Sequence, residues 1–211
     1  DGTIIARSSP VQIGSLTGWT EVGVGNGYGV AVKADGTIWS WGNSASGRTG
    51  RNTLIDSSSP IQIGAGTDWY KISVSDAFTM TIKTDGSLWG WGDNGSGQLG
   101  IGNFNSVSSP VQVGALTNWS KVATGNLHTL ALKTDGTLWA WGYDSSGQIG
   151  QNSATAYYNS PLQIGSLNDW SKVGCGGYFS GAIKTDGTLW VWGSNNYGQG
   201  AQNTTADISS P

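Results

Sequence analysis

The chain places a carboxylate close to two tryptophans in the stretch KTDGTLWAWG, which runs from Lys133 to Gly142. A carboxylate beside indole rings is typical of sites that bind a sugar or a cation. A tight turn leading into a buried strand has the same composition, because Asp-Gly suits a hairpin turn and indoles fill a core. The stretch recurs as KADGTIWSWG from Lys33, KTDGSLWGWG from Lys83 and KTDGTLWVWG from Lys184. This recurrence favours the structural interpretation, in which Asp135 turns the chain and Trp139 and Trp141 pack between repeated units.

Two further candidates for chemistry are the only histidine, His128, and the only cysteine, Cys175. The other copies have Tyr28, Phe78 and Phe179 at the position of His128, and Val24, Val74 and Thr124 at that of Cys175. Both positions therefore predict packing roles. The sequence specifies no Ser–His–Asp or Cys–His set, no carboxylate pair and no metal-binding motif. We predict no catalytic residue, no metal site and no cofactor, and we expect that the protein is not an enzyme.

Composition and charge argue against several other classes of protein. Glycine accounts for 35 of the 211 residues and tryptophan for 12, whereas charged residues make up only 11%, so long solvated helices are not expected. The net charge is -3 and the ten Lys and Arg residues are scattered, which predicts no surface for nucleic acid. No run of 18 apolar residues is present, which argues against insertion into a membrane.

A period of about 50 residues organises the whole chain. Prolines mark it at Pro10, Pro60, Pro110, Pro161 and Pro211, and tryptophans follow in step at Trp19, Trp69, Trp119 and Trp170. Such a period predicts an array of supersecondary units that are stable only together. We therefore predict a single repeat domain over residues 1–211, with units at approximately 10–59, 60–109, 110–160 and 161–211. Residues 1–9 are then a redundant linker, since residues 202–210 supply the same element.

Alternation of large and small residues predicts the strands of one unit. The first strand lies around Lys121–Thr124 and carries a small residue, Ala123, which suits a strand whose neighbours approach closely. The second, His128–Lys133, and the third, Thr137–Gly142, are joined by the Asp-Gly turn. A fourth strand follows the proline, as in PVQVG from Pro110, with the proline at the edge of the sheet. The sequence therefore predicts an all-β fold of four-stranded antiparallel sheets, with the dimensions of β-propeller blades.

The pattern WSKVATGNLHTLALKTDGTLWAWGYDSSGQIG, from Trp119 to Gly150, resembles the repeat of the regulator of chromosome condensation family. Its members usually form seven-bladed β-propellers, and the resemblance covers the chain in four copies. It implies that the strand after each proline is the outermost of its blade. The last unit, which ends at Ser209–Pro211, is then missing its outer strand, while residues Pro10–Gly14 form an outer strand with no blade before it. A closed ring of four blades, strand exchange between copies, and a segment of a larger ring would each account for these ends.

The positions that differ between the copies predict where binding occurs. Because the strands are antiparallel, the first and third loops of each unit lie at the end opposite the Asp-Gly turns. Variable loops rich in Tyr, Asn, Ser and Gly on a rigid scaffold are typical of adaptable binding surfaces. The linkers add Phe104 at the same end. The predicted binding residues are Asn26, Asp76, Asn126, Leu127, Tyr143, Asp144, Tyr157, Tyr158, Tyr178, Asn195, Asn196 and Tyr197.

The leading functional hypothesis is a non-enzymatic binding or structural module that recognises a protein or a surface glycan through these loops. An extracellular, cell-surface or virion-associated assembly is the expected setting, and self-association into a ring or a filament would complete the chain ends. The resemblance implies an alternative, regulation of an enzyme, either as an inhibitor of a secreted enzyme or as an exchange factor for a small GTPase. Exchange factors of the family use an inserted wedge and a basic tail, for which a period of 50 to 51 residues leaves no room.

Overall fold

Short strands build four consecutive sheets in the computed structural model, which describes residues 2–152 and 156–211. Residue 1, in the predicted linker 1–9, and residues 153–155, in the third predicted unit, lie outside the described residues. The only helical element among those described is a single 3₁₀ turn at Ala45–Gly47. No described helix is long and apolar enough to cross a membrane.

Each sheet is a meander in which consecutive strands pair antiparallel, so each sheet is one propeller blade. Blade 1 consists of β1 (Trp19–Val24), β2 (Tyr28–Lys33), β3 (Ile38–Gly42) and β4 (Ser57–Gln62). Blade 2 consists of β5 (Trp69–Val74), β6 (Phe78–Lys83), β7 (Leu88–Gly92) and β8 (Val107–Gln112). Blade 3 consists of β9 (Trp119–Thr124), β10 (His128–Lys133), β11 (Leu138–Tyr143) and β12 (Tyr157–Gln163). Blade 4 consists of β13 (Trp170–Cys175), β14 (Phe179–Lys184) and β15 (Leu189–Gly193).

The Asp-Gly turn is stabilised by a short relay of side-chain hydrogen bonds. In blade 3 the Asp135 carboxylate accepts from the backbone N–H of Thr137 at 3.0 Å and from its hydroxyl at 2.7 Å. The indole of Trp139 donates to the Thr137 hydroxyl oxygen at 2.9 Å. Equivalent contacts form in the other three blades. The repeated carboxylate therefore orders a hairpin and orients an indole.

The outer strand begins before the proline, three residues earlier than the sequence predicts. In blade 2, β8 starts at Val107 and Pro110 lies within it. Val111 pairs with Gly90 and Val107 with Gly92, so the intervening residues bulge out of the ladder. Proline has no N–H to donate, and a bulge on an outermost strand accommodates it without the loss of an internal ladder bond.

The cores lie between the blades, because each blade buries its apolar side chains against the neighbouring blade. The core between blades 2 and 3 combines Phe78, Met80 and Leu88 of one blade with Trp119 and Trp141 of the next. The cores between blades 1 and 2 and between blades 3 and 4 have the same pattern. The tryptophan pair of each blade thus faces the preceding blade. Leu138 and Ala140, on the opposite face of β11, belong to the core with blade 4.

Glycines permit two close approaches that hold this arrangement together. A side chain at Gly23 would overlap that of Val74, so a small residue on the first strand lets neighbouring blades meet. Gly142, the next-to-last residue of β11, has φ 107°, and a Cβ there would collide with the carbonyl oxygen of Leu127. The second approach brings the first and third loops of a blade into contact.

The four blades form an open arc, which rules out the closed ring of four considered from the sequence. Val24 on β1 is 72% exposed and Leu189 on β15 is 68% exposed. Leu88 and Leu138, the counterparts of Leu189 between blades, are fully buried, and Val74, the counterpart of Val24, is half-buried. Blade 4 also has only three strands, extended by a single bridge between Gly193 and Ile208.

Candidate functional site

The recurrent carboxylate and indoles bind groups of the protein itself. The Lys133 ammonium lies 3.5 Å from the ring centre of Trp139, and the Lys83 ammonium lies 4.4 Å from Trp69 and 4.5 Å from Trp89. The hydrogen bonds from Thr137 lower the pKa of Asp135. The cation that the indoles attract is thus the lysine of their own hairpin.

His128 and Cys175 are inert packing groups, as the repeat predicts. His128 is fully buried, and burial lowers its pKa to about 4. Its Nε2 lies 3.0 Å from the Ser180 hydroxyl, which itself donates to the Gln148 carbonyl at 2.7 Å. Burial raises the pKa of the Cys175 thiol to about 12, which keeps it protonated and unreactive. Among the described residues, no three His, Cys, Asp or Glu side chains are grouped to hold a metal ion.

The variable loops are brought together at the end of the arc opposite the Asp-Gly turns. The N–H of Tyr143, at the end of β11, donates to the Leu127 carbonyl in the loop before β10 at 2.9 Å. The N–H of Asn126 donates to the Gly177 carbonyl of blade 4 at 3.0 Å. These backbone bonds fix the first and third loops of a blade to each other and to the next blade. The scaffold therefore presents the loops in one defined arrangement.

Four aromatic side chains form a continuous row across this end, which we call the aromatic ladder. Phe104 lies 6.4 Å from Tyr157, Tyr157 lies 5.4 Å from Tyr143, and Tyr143 lies 6.3 Å from Tyr178. These are distances between ring centres in tilted or edge-to-face pairs, which are favourable geometries for aromatic rings. The ladder joins residues of blades 2, 3 and 4, and Phe104, Tyr157 and Tyr178 are exposed.

An open groove of about 380 Å³ lies along the ladder. Three tyrosines supply aromatic faces and hydroxyl groups, and the remaining lining is apolar or neutral and polar. No residue that lines the groove carries a formal charge, so recognition there would depend on ring stacking and neutral hydrogen bonds. The lining residues are Ser96, Leu127, Tyr143, Ser146, Tyr157, Tyr178, Ser194 and Asn196.

Five of the twelve predicted residues therefore line one groove, and the other seven lie elsewhere. Asn126 does not line the groove and donates its backbone N–H to Gly177, and Tyr197 is 96% exposed without lining the groove. Asn26 and Asp76 meet at the joint of blades 1 and 2, where their carbonyls accept hydrogen bonds from Arg48. Tyr158 packs against the cores on both sides of blade 3. Asp144 and Asn195 are also buried.

Asp144 and Asn195 have a structural role within their loops. The Asn195 amide donates to the carbonyls of Thr204 and Ala206 at 2.8 and 2.9 Å, and its oxygen accepts from the N–H of Gly200 at 2.7 Å. Asn94 has the same arrangement in blade 2. Asp144 accepts from the N–H of Ile149 at 2.8 Å with one carboxylate oxygen. Its second oxygen stands where Asn94 and Asn195 have the donating NH₂ group, and it has no hydrogen-bond partner among the described residues.

Burial raises the pKa of Asp144 to about 6, and this predicts the effect of an Asp144→Asn substitution. A raised pKa in the folded state means that Asp144 costs stability once pH exceeds its unfolded pKa, with the full cost above pH 6. The asparagine should therefore raise the free energy of unfolding at pH 8 by about 1–2 kcal/mol, allowing for screening by water. Urea unfolding measured at pH 8 and pH 4.5 should show that this gain shrinks at the lower pH.

The control for Asp144→Asn is Asp76→Asn, which changes an exposed carboxylate at the same end of the arc. It should alter the free energy of unfolding by less than about 0.5 kcal/mol. A gain from Asp144→Asn that is equally large at both pH values would contradict the burial of a charged carboxylate as its cause.

The sequence did not reveal the serines of the groove or the contacts of Phe104. Ser96, Ser146 and Ser194 occupy unremarkable loop positions, and serine is frequent throughout the chain. Phe104 belongs to the linker of blade 2 and contacts Tyr157 of blade 3. The repeat position that Asp144 and Asn195 occupy did carry a signal in the sequence. The same position is Ser44 in blade 1 and Asn94 in blade 2. A position that is polar in every copy indicates a hydrogen bond that each repeat uses to hold its own loop.

Comparison with known proteins identifies the repeat. The regulator of chromosome condensation (RCC1) repeat matches residues 85–132 and 135–183, and a second description of the same repeat matches residues 69–98, 119–148 and 170–199. Together these matches run without a break from residue 69 to residue 199, which is more than half of the chain. The chain belongs to the RCC1 repeat family. The resemblance seen in the sequence and the all-β propeller fold are both confirmed.

Solved structures share the fold of this RCC1-repeat chain. Human WBSCR16 is 24% identical with a TM-score of 0.83, and the match covers 92% of this chain and 52% of that one. Prp20p from Saccharomyces cerevisiae is 20% identical with a TM-score of 0.85, and the match covers 97% of this chain and 52% of that one. This chain therefore spans about half the length of either protein. No curated protein matches the chain in sequence.

Proposed function

We propose that this RCC1-repeat chain is a non-enzymatic binding module that recognises a protein through the aromatic ladder and its groove. The observation that carries the proposal is the ladder itself, a continuous row of four rings from three blades, held on backbone that is bonded across the blades. Tyrosine is enriched at interfaces because a rigid amphipathic ring contributes a large contact area at low entropic cost. An extracellular, cell-surface or virion-associated setting is part of this proposal.

The chemistry of the groove favours a neutral, partly apolar segment as ligand. Aromatic faces accept prolines, aliphatic side chains and other rings, while the serine hydroxyls and the Asn196 amide bond peptide groups. A sugar would use the same features, so a glycan is the competing ligand. A highly charged partner would find no complementary charge among the residues that line the groove.

A display library of random peptides, selected against the immobilised chain, tests this proposal. Peptides that bind the wild-type chain should be enriched. The double variant Tyr143→Ala/Tyr157→Ala should bind these peptides with an affinity lower by about thirtyfold or more, the cost of removing an interface hot spot. The matched control is Tyr70→Ala, which removes an exposed tyrosine at the other end of the arc, beside the Asp-Gly turns. Affinity for the control should change less than twofold.

A glycan array probed with the same three proteins distinguishes the two ligand classes. Binding that depends on Tyr143 and Tyr157 but occurs only on the glycan array would assign a sugar to the groove and contradict a peptide ligand. Peptides that bind all three proteins equally would place binding outside the ladder and would contradict the proposal.

A further inference from the structure

The chain contains two Asn-Gly dipeptides, Asn26-Gly27 and Asn94-Gly95. In such a dipeptide the glycine nitrogen can attack the side-chain amide carbon of the asparagine, because glycine has no Cβ to hinder the approach. The attack closes a succinimide ring, and water then opens that ring. The reaction needs an asparagine side chain that is free to turn towards its own main chain and that water can reach. The surroundings of each asparagine therefore decide whether it reacts.

Asn94 is held in a conformation that prevents the attack. It is fully buried in the loop that follows β7. Its amide donates to the carbonyls of Asn103 and Asn105 at 2.9 and 3.2 Å, and its oxygen accepts from the N–H of Leu99 at 2.9 Å. All three bonds must break before the side chain can turn towards the nitrogen of Gly95. Asn94 should therefore stay unmodified while its loop remains folded.

Asn26 has the opposite surroundings. It is exposed in the loop between β1 and β2, and Gly27 beside it is exposed as well. The Asn26 side chain makes no hydrogen bond to any other residue that the structure describes. The N–H of Gly27, whose nitrogen is the nucleophile, also donates to none of those residues. Both reacting groups are thus free, and the loop is open to water.

The corresponding loops of the other blades lack this combination. They have Asp76-Ala77 in blade 2, Asn126-Leu127 in blade 3 and Gly177-Tyr178 in blade 4. Asn126 is followed by a leucine, whose side chain hinders the approach of the backbone nitrogen. Asn126 also packs against the next blade, because a Cβ built on Gly177 would lie 3.2 Å from the Asn126 Nδ2 atom. Of the four first loops, that of blade 1 alone carries an Asn-Gly pair.

We propose that Asn26 is a site of spontaneous deamidation in the folded protein. The Gly27 nitrogen forms a bond to Cγ of Asn26, the bond from Cγ to the amide nitrogen breaks, and ammonia leaves with the proton that Gly27 loses. Water then adds to one of the two ring carbonyls and opens the succinimide, which gives either aspartate or isoaspartate at position 26. The net reaction consumes one water and releases one ammonia, so it needs no oxidant, cofactor or enzyme.

The modification changes the joint between blades 1 and 2. The Asn26 carbonyl accepts from Nη1 of Arg48 at 3.0 Å, and the same nitrogen donates to the Asp76 carbonyl at 3.3 Å. The N–H of Asn26 donates to that Asp76 carbonyl, also at 3.3 Å. Either product adds a carboxylate near the Arg48 guanidinium, so the net charge of the chain becomes more negative than -3. Isoaspartate also inserts a methylene group between Cα and the main-chain carbonyl, so the contacts of the N–H and the carbonyl cannot both persist.

Peptide mapping by mass spectrometry of the full chain, kept folded at pH 8 and sampled over time, tests this proposal. The peptide that contains Asn26 should gain the mass difference between an amide and a carboxylic acid, and an isoaspartyl methyltransferase should label part of it. The matched control is Asn94 in the same molecule, which should react about tenfold or more slowly, because its reaction requires local unfolding. In urea that unfolds the chain, the two peptides should react at similar rates. Asn26→Gln should abolish the mass gain at this position, because the longer side chain closes its ring far more slowly.

Two results of the mapping would overturn the proposal. One is an Asn26 that stays unmodified in the folded chain over the time in which the same peptide is converted in urea. The other is an Asn94 that reacts as fast as Asn26 in the folded chain, because the hydrogen bonds of Asn94 would then offer no protection.

Hydrogen exchange measures the effect of the modification on the joint. In the aged chain, residues 25–28 and 75–78 should exchange faster than in the fresh chain. Asn26→Asp adds the same charge without lengthening the main chain, and it should exchange like the fresh chain. Equal exchange in the aged and fresh chains would contradict a disturbed joint. None of these results bears on the aromatic ladder, which joins blades 2, 3 and 4.

Discussion

Replacing Trp141 by alanine is expected to lower the free energy of unfolding by about 3–5 kcal/mol, the usual cost of truncating a fully buried large aromatic residue. The Trp141 indole is completely buried in the core between blades 2 and 3, lies 6.0 Å from the Trp119 ring and donates to the Gln98 carbonyl at 2.9 Å. Its removal leaves a cavity and takes away one of the two hydrogen bonds that the Gln98 carbonyl accepts, the other coming from the Thr129 hydroxyl at 2.8 Å. Urea unfolding followed by circular dichroism measures the change.

Trp190→Ala is the matched control, because it truncates the first tryptophan of the pair in blade 4. Its indole is 37% exposed and does not belong to the buried core between blades 3 and 4. The control should cost less than half as much as Trp141→Ala. Equal costs for the two variants would contradict the assignment of the stabilising cores to the joints between blades.

Replacing His128 by phenylalanine is expected to make the protein resistant to mild acid. The folded-state pKa of His128, about 4, lies below the ordinary value of 6.5, so the native state binds fewer protons than the unfolded state. The wild type therefore loses stability as pH falls from about 6.5 towards 4, by about 3 kcal/mol in total. The phenylalanine variant lacks this loss, since Phe78 and Phe179 already fill the same position in other blades.

The measurement is the free energy of unfolding of both proteins at pH 7 and at pH 4. At pH 7 the two should agree within about 1 kcal/mol, because the variant loses only the hydrogen bond to Ser180. At pH 4 the variant should be the more stable protein by about 2–3 kcal/mol. Parallel pH profiles for the two proteins would show that His128 is not the buried neutral group that the structure describes.

The repeat made most of the fold predictable. A position that occurs in four copies reveals its role through the residues that replace it. This comparison showed that Asp135 belongs to a turn and that His128 occupies a packing position, so neither was predicted to be catalytic. The strand β10 has the predicted bounds. The outer strand β8 does not, because its start depends on a bulge around Pro110 that pairing with β7 creates. Short-range alternation cannot show that bulge.

The candidate site was predictable only in part, for a physical reason. Antiparallel strand order determines which end of the arc a loop occupies, so Tyr143, Tyr157 and Tyr178 were placed at the correct end. Whether a loop side chain turns outwards or folds beneath the loop depends on tertiary hydrogen bonds. Asn195 bonds two carbonyls of its own linker, and Tyr158 packs between blades, so neither reaches the groove.

The most direct test of the aromatic ladder as the binding surface is a hydrogen-exchange footprint. It is measured on the wild-type chain with the tightest-binding peptide from the display selection. The structure predicts slower exchange in the loops around residues 125–128, 143–147, 177–179 and 194–197, where backbone groups border the groove. The Asp-Gly turns at residues 35–36, 85–86, 135–136 and 186–187 should exchange at unchanged rates. Protection centred on those turns, with none along the groove, would contradict the assignment of the aromatic ladder as the binding surface.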